Sequence, residues 1–149
     1  MKVQKEVIIQ HCIALTNKRI EETRQAMSMA NESIVNDTKS SMGDKYETSR
    51  EMAQQQLNRL QTQMVNAEND LAVLKSLPTQ RGNRVGLGSV VVTNQFCYLI
   101  ATSIGPINLD NQKIMIISKE SPIGQLLLGK TKEDEITFNG NTFKISSII

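Results

Sequence analysis

A mirror symmetry among the apolar residues of the first half constrains the fold of this chain more than any other feature. Apolar residues recur every seven positions in two segments: Ile13, Ile20, Met27 and Ile34, then Leu57, Met64 and Leu71. Such a repeat is typical of helices that pack side by side in a coiled coil. The two sets pair in reverse order about Met42, so they predict two helices folded back on each other as an antiparallel hairpin.

The predicted hairpin occupies residues 1–77. Its helices extend over about residues 3–38 and 45–77, and its turn is Ser-Ser-Met-Gly-Asp at 40–44. Because an α-helix rises 1.5 Å per residue, about 30 residues give a rod roughly 45 Å long. A rod of this kind buries little surface per residue, so we expect it to lean on a second domain at its base.

The pattern changes at Pro78, because the residue before a proline disfavours helical geometry. Residues 78–88 are rich in glycine and polar residues, which is typical of a linker. Asn139-Gly140 lies between two segments with strand character, and this dipeptide is a strong signal of a β-hairpin. Strands are predicted at 89–93, 96–102, 113–118, 136–138 and 142–145.

A short helix is predicted between the third and fourth of these strands. Ser121 is suited to the N-cap, Pro122 to the first helical position, and Gly129 to the position after the last turn. The chain is therefore predicted to be an α+β protein. It has a helical hairpin over residues 1–77, a linker over 78–88, and a small, mainly antiparallel sheet domain with one short helix over 89–149.

Composition and charge exclude several classes of protein. The formal net charge is only +2, which gives no strong electrostatic case for direct binding of nucleic acid. Cys12 and Cys97 are too far apart for a metal-binding motif and are interpreted as reduced thiols. The chain begins without an apolar signal core, and no apolar run approaches the ~20 residues that span a bilayer. We expect a soluble, cytoplasmic protein with no membrane partner.

The predicted turn carries two carboxylates that could do chemistry. Asp44 and Glu47 are three residues apart and so share one face of a helix. Carboxylate oxygens suit a hard cation such as Mg²⁺, although two carboxylates are too few for a tight site made by this chain alone. The same spacing is that of a capping box, with Asp44 as N-cap and Glu47 reaching back to it. Both interpretations are open at this stage.

Three stretches give the chain a resemblance to the Gre family of bacterial transcript-cleavage factors. Gly-Asp-Lys-Tyr-Glu at 43–47 is similar to the family's Gly-Asp-x-x-Glu. Residues 121–130 resemble its Ser-Pro-Ile-x-x-x-Leu-x-Gly-Lys, and the acidic step at 133–135 also fits. These stretches occur in the family's order, and the resemblance covers essentially the whole chain.

The resemblance implies a function and a set of roles. The hairpin would enter the secondary channel of bacterial RNA polymerase, near the 3′ end of the nascent RNA. Asp44 and Glu47 would be its catalytic and metal residues, helping to hold an Mg²⁺ ion shared with the polymerase active site. The second domain would be FKBP-like and would bind the polymerase through Ser121, Pro122 and Ile123. The chain would be no enzyme itself and would bind no metal stably alone.

Departures from the family pattern motivate an alternative. The family continues its turn motif with Asn-Ala-Glu-Tyr, where this chain has Thr-Ser-Arg-Glu at 48–51, and Lys45 replaces an apolar residue. The alternative is a non-cleaving regulator or inhibitor that acts through the same channel. A prolyl isomerase is disfavoured because the sheet domain has few aromatic residues for a proline pocket. Gly43 near the midpoint favours a folded-back monomer over a dimeric coiled-coil adaptor.

Overall fold

The computed structural model describes residues 3–38, 43–78 and 82–149, with side chains described outside 36–47. Most of the predicted turn, residues 40–42, therefore lies outside the described residues. By contact, the chain divides into two compact units. One comprises Met1–Ile13 together with Val73–Ile149, and the other comprises Ala14–Ala72.

Two long helices occupy the first half of the chain. Helix α1 spans Lys5–Thr38 and helix α2 spans Gly43–Ser76, each with 34 residues. Neither contains a proline, and α2 ends two residues before Pro78. At 1.5 Å per residue each helix is about 50 Å long. The prediction of two long helices is confirmed.

In the unit Ala14–Ala72 the two helices pack as an antiparallel pair. Ala30 of α1 is buried against Leu57 and Leu60 of α2. Nearer the other end, Arg19 Nη2 donates to Asp70 Oδ2 at 2.7 Å. Because early residues of α1 meet late residues of α2, the predicted hairpin is confirmed, but these contacts are centred about two residues later in the sequence than the predicted centre at Met42. Its interface also contains the buried Thr23, whose hydroxyl donates to the carbonyl of Arg19 at 2.8 Å.

The second half forms one six-stranded sheet in the order β3-β4-β2-β1-β6-β5. Within residues 82–149 every strand pair is antiparallel except β2 with β4. A short helix, α3 at Pro122–Leu127, lies between β4 and β5 in the sequence. The strands are β1 Val90–Thr93, β2 Cys97–Ala101, β3 Gly105–Leu109, β4 Gln112–Ser118, β5 Glu135–Phe138 and β6 Asn141–Ile148. The predicted α+β class is confirmed.

Five of these strands match the predicted ones, and β3 was missed. It pairs with β4 through a tight turn at Asp110-Asn111, where both residues have positive φ values of 49° and 62°. Asparagine and aspartate tolerate this left-handed geometry, which two-residue hairpin turns require. The predicted turn at Asn139-Gly140 has the same geometry, with φ values of 51° and 80°.

The sheet carries a separate apolar core on each face. Successive side chains of a strand point to opposite faces, and in β2 Leu99 joins the first core while Ile100 joins the second. The first core also contains Ile8 from α1 and Leu74 from α2. The second contains Leu127 of α3. The ends of both long helices thus complete one face of the sheet unit.

The described part of the predicted linker packs on the sheet unit. Val85 is buried, and its N–H donates to the carbonyl of Lys130 at 2.9 Å. Gly88 N–H donates to the carbonyl of Ile100 at 2.7 Å. The contacts therefore place residues 82–88, the start of α1 and the end of α2 in the sheet unit. The predicted domain boundaries at residues 77 and 89 were drawn from composition, and they stay a prediction.

Candidate functional site

The Ser-Pro-Ile segment forms the start of α3 through a local network of hydrogen bonds. Ser121 has the extended backbone of an N-cap, and its Oγ accepts from Gly124 N–H at 3.0 Å. The same hydroxyl donates to the carbonyl of Ser118 at 2.7 Å. Pro122 occupies the first helical position, where its missing N–H costs no hydrogen bond. After the helix, Gly129 adopts a positive φ of 79°. The predicted residues at the start and end of this helix, Ser121, Pro122 and Gly129, are therefore confirmed.

Gly124 allows α3 to sit tightly against the end of β4. A Cβ atom built at this position would lie 2.2 Å from the carbonyl oxygen of Ser118 and 2.9 Å from Ser121 Oγ. Any side chain at residue 124 would therefore collide with the backbone that the cap hydroxyl also binds. Gln125 Nε2 adds a further bond to the carbonyl of Lys119 at 2.7 Å. The turn before α3 is consequently fixed against the helix.

The three predicted docking residues differ in what they offer to a partner. Ser121 is engaged in the cap, and Ile123 packs against the second core. Pro122 is exposed, and so is Leu126, one turn further along the helix. Residues four apart lie on the same helical face. The surface of α3 thus presents Pro122 together with Leu126. Leu126 was not among the predicted docking residues, although its spacing of four residues from Pro122 places the two on one helical face.

The two turn carboxylates belong to the beginning of α2. Asp44 and Glu47 lie in a helical backbone that begins at Gly43, and their side chains lie outside the described residues. Because the helix already includes Gly43, Asp44 lies inside its first turn and not at the flanking cap position that the capping-box interpretation requires. A capping box depends on the side chains of Asp44 and Glu47, which lie outside the described residues, so this interpretation stays a prediction. The metal role of Asp44 and Glu47 stays a prediction.

The helical unit has an apolar groove along α1. A cavity of about 570 Å³ is lined by Met27 and Val35 of α1 and by Met64 of α2. Arg24 and Glu32 form part of its polar wall. Met29 and Met52 are also exposed elsewhere in this unit. The groove therefore combines apolar side chains with one basic and one acidic side chain.

Both thiols are buried in the first core. Cys12 on α1 and Cys97 on β2 belong to the same apolar cluster. Burial raises the pKa of each thiol to about 11, because the thiolate would lose its hydration. Among the described side chains, those of residues 3–35, 48–78 and 82–149, no three His, Cys, Asp or Glu groups are placed as metal ligands. No described helix is long and apolar enough to cross a membrane.

Comparisons with known proteins give similar solved structures. No family model matches the chain, and no curated protein matches it. The structure of the transcription factor Gfh1 is 22% identical with a TM-score of 0.38, over 91% of this chain and 92% of that chain. GreA factor homolog 1 (Gfh1) of Thermus thermophilus is 22% identical with a TM-score of 0.36, over 99% and 96%. Gfh1 of Thermus aquaticus is 23% identical with a TM-score of 0.34, over 91% and 92%.

Proposed function

We propose that this chain is a Gre-like elongation factor that binds bacterial RNA polymerase and stimulates cleavage of backtracked transcripts. The observation that carries the proposal is the placement of the two motifs. The Gly-Asp-x-x-Glu motif at 43–47 lies at the start of α2, and the Ser-Pro-Ile motif forms a capped helix beside the sheet. The chain would act in the cytoplasm as a monomer.

The helical pair supports insertion into a narrow channel. Each helix has 34 residues, and the buried contacts of Ala30 with Leu57 and Leu60 hold the two together. A pair of helices about 50 Å long is thin enough to enter a channel that would exclude a globular domain. Its acidic residues Asp44 and Glu47 lie at the end where α2 begins.

The two carboxylates at the start of α2 fit an Mg²⁺ ion that is shared with a partner, and they are too few to form a complete metal site. Two carboxylates provide hard oxygen ligands, while a stable Mg²⁺ site needs more partners than this chain supplies there. The ion would supply a second metal for in-line hydrolysis of the RNA within the polymerase. Asp44 and Glu47 would hold and orient it from one helical face, close to the RNA 3′ end. The chain itself would not be an enzyme.

The exposed face of α3 supports a role in docking on the polymerase. Pro122 and Leu126 form an apolar pair on a helix that Ser121 and Gly124 hold rigidly. An ordered helix that presents Pro122, whose ring has little freedom to lose, is suited to contact with a protein surface. We expect Ser121 and Ile123 to act through the helix they stabilise, and Pro122 to make the direct contact.

The sequence around the turn favours a second candidate, a regulator that occupies the channel without stimulating cleavage. Residues 48–51 are Thr-Ser-Arg-Glu, and Lys45 brings a positive charge between the two carboxylates. A cation beside Asp44 and Glu47 competes with a metal ion for their charge. In this candidate the chain binds the polymerase equally well and leaves backtracked RNA intact.

An assay with a backtracked elongation complex tests the proposal. The complete chain is mixed with a stalled complex of its own polymerase, with RNA labelled at the 3′ end. Release of short 3′ fragments, above the intrinsic rate of the polymerase, is the expected result. Binding of the polymerase without added cleavage supports the non-cleaving regulator, and absence of binding contradicts both candidates.

Matched variants separate metal chemistry from helix stability. Asp44→Asn and Glu47→Gln remove one charge each while retaining size and hydrogen-bonding oxygen. We expect both to lose cleavage stimulation and to retain polymerase binding. Glu68→Gln changes an exposed carboxylate on the same helix and serves as the control. If Asp44→Asn and Glu47→Gln cleave like Glu68→Gln, the metal role is wrong.

A further inference from the structure

The helical pair has a middle section in which few apolar side chains are buried. This middle section comprises residues 14–25 of α1 and 61–72 of α2, and the structure describes all of them. Its buried apolar side chains are those of Ile20 and Ala67. Because the stabilisation from burial follows the apolar area removed from water, and Ala67 contributes one methyl group, little apolar surface holds the helices together at this level.

Threonines occupy the buried positions on either side of Ile20 in the middle section. Thr16 is 2% exposed and Thr23 is 7% exposed. The hydroxyl of Thr23 donates to the carbonyl of Arg19 at 2.8 Å. In a regular helix the backbone N–H of Thr23 donates to this same carbonyl, so two donors compete for one acceptor. Such hydroxyl bonds slightly destabilise a helix and often bend it.

Larger apolar side chains are buried on both sides of the middle section. The distal section, residues 26–35 and 53–60, buries Leu57 and Leu60 in one cluster. Toward the start of α1, Leu74 of α2 belongs to the first core. Because most of the stability of a helix in a protein comes from the packing of its apolar face, the middle section should open more easily than either neighbour.

The ion pairs of the middle section do not replace this apolar surface. Arg19 Nη2 lies 2.7 Å from Asp70 Oδ2 and joins the two helices, but both side chains are partly exposed, so water screens their attraction. Arg24 pairs with Glu21 at 2.7 Å within α1 and therefore does not join the helices. The Arg19–Asp70 pair thus positions α1 beside α2 without holding it there firmly.

We propose that the middle section is a hinge at which the helical pair opens locally and bends. Opening breaks backbone hydrogen bonds of α1 around Arg19 and Thr23, where the hydroxyl already competes for a carbonyl. The distal section keeps its cluster around Leu57 and Leu60 and moves as a unit, together with the start of α2. The hinge follows from the packing of the two helices and does not depend on the proposed function.

Native-state hydrogen exchange of the complete chain, resolved by NMR and corrected for intrinsic exchange rates, tests the hinge. Simple fraying would make the protection of α1 fall steadily toward its end at Thr38. The hinge predicts a different order, in which amides 19–24 are about tenfold less protected than amides 27–34, because the distal section buries at least one more large apolar side chain. A steady fall toward Thr38, or equal protection of the two groups of amides, overturns the proposal.

Two variants and a matched control connect the hinge to the buried threonines. Thr23→Val removes the competing hydroxyl and buries one more methyl group, so it should slow exchange at amides 19–24 about fourfold. Thr16→Val should act in the same direction and gives a second measurement. The hydroxyl of Thr62 also donates four residues back, to the carbonyl of Asn58 at 3.3 Å, but this side chain is exposed. Thr62→Val should therefore leave amides 19–24 unchanged, and equal effects of Thr23→Val and Thr62→Val there overturn the proposal.

Discussion

Arg19 and Asp70 lie 51 positions apart in the sequence, yet their side chains meet at 2.7 Å and join the two long helices. Together with the cluster around Ala30, Leu57 and Leu60, this ion pair fixes the antiparallel register. Both of its side chains are partly exposed, at 42% and 33%. The ion pair therefore identifies the register without being its main source of stability.

The first prediction compares these two kinds of contact. Arg19→Ala should lower the free energy of unfolding by no more than about 1 kcal/mol, because partly exposed ion pairs are screened by water. Leu60→Ala should lower it by about 2–4 kcal/mol, because it leaves a cavity between the helices. Urea unfolding monitored by the helical circular dichroism signal measures both. A larger loss for Arg19→Ala would mean that charge dominates this interface.

The second prediction concerns the tight contact at α3. Gly124→Ala would place a methyl group 2.2 Å from the carbonyl oxygen of Ser118, so the helix must shift. We expect a loss of stability of about 1–3 kcal/mol, typical of overpacking, together with weaker polymerase binding. Gly86→Ala is the matched control, because a Cβ there meets no atom within 4 Å. Thermal unfolding of the two variants should differ clearly.

The third prediction is a pH dependence centred on Asp134. The backbone N–H and hydroxyl of Thr131 bind its carboxylate and hold the pKa of Asp134 below the ordinary value. The contribution to stability is therefore fully present above about pH 4 and is lost as the pH falls through the lowered pKa of the folded state. Asp134→Asn should make the acid limb of a stability profile shallower in urea unfolding, while the lowered pKa of Glu133 beside Lys144 keeps part of that limb. An acid limb that is unchanged in Asp134→Asn would contradict this prediction.

The fourth prediction concerns the reactivity of the two thiols. With the pKa of Cys12 and Cys97 raised to about 11, both remain protonated at pH 7 and are buried in the same core. The native chain should therefore react with a thiol reagent such as 5,5′-dithiobis(2-nitrobenzoate) only as fast as it opens. In denaturant both thiols should react at once. Fast labelling of the native chain would contradict the burial.

Elements whose structure is determined by a local sequence pattern could be predicted from the sequence. Leu57 and Leu60 repeat with the period of a coiled coil, and Ser121-Pro122 has the chemistry of a helix start. Strand β3 escaped prediction because Gly105 and Pro106 are typical of loops. Proline is tolerated there because β3 is at the edge of the sheet, where unpaired N–H groups are normal.

Only a candidate site formed by a single segment of the chain could be predicted from the sequence. Asp44 and Glu47 are three residues apart and were visible as a pair. Asn83, Lys132 and Ser147 line one cavity of the sheet unit, but they come together only through the pairing of distant segments, and no spacing in the sequence signals this. The spacing of Leu126 from Pro122 predicts that the two share a helical face, but only the packing of α3 shows that this face is exposed to solvent.

The sheet unit is built from two pieces of chain, Met1–Ile13 and Val73–Ile149, so the unit Ala14–Ala72 is an insertion within a discontinuous domain. Both junctions are in continuous helix, since α1 and α2 pass through them without a break. Whole heptads can therefore be added to or deleted from both helices together, changing the hairpin by about 10 Å per heptad while the anchoring residues Ile8 and Leu74 keep their contacts. The length of the hairpin can therefore change, by evolution or by engineering, without any change in the sequence of the sheet unit.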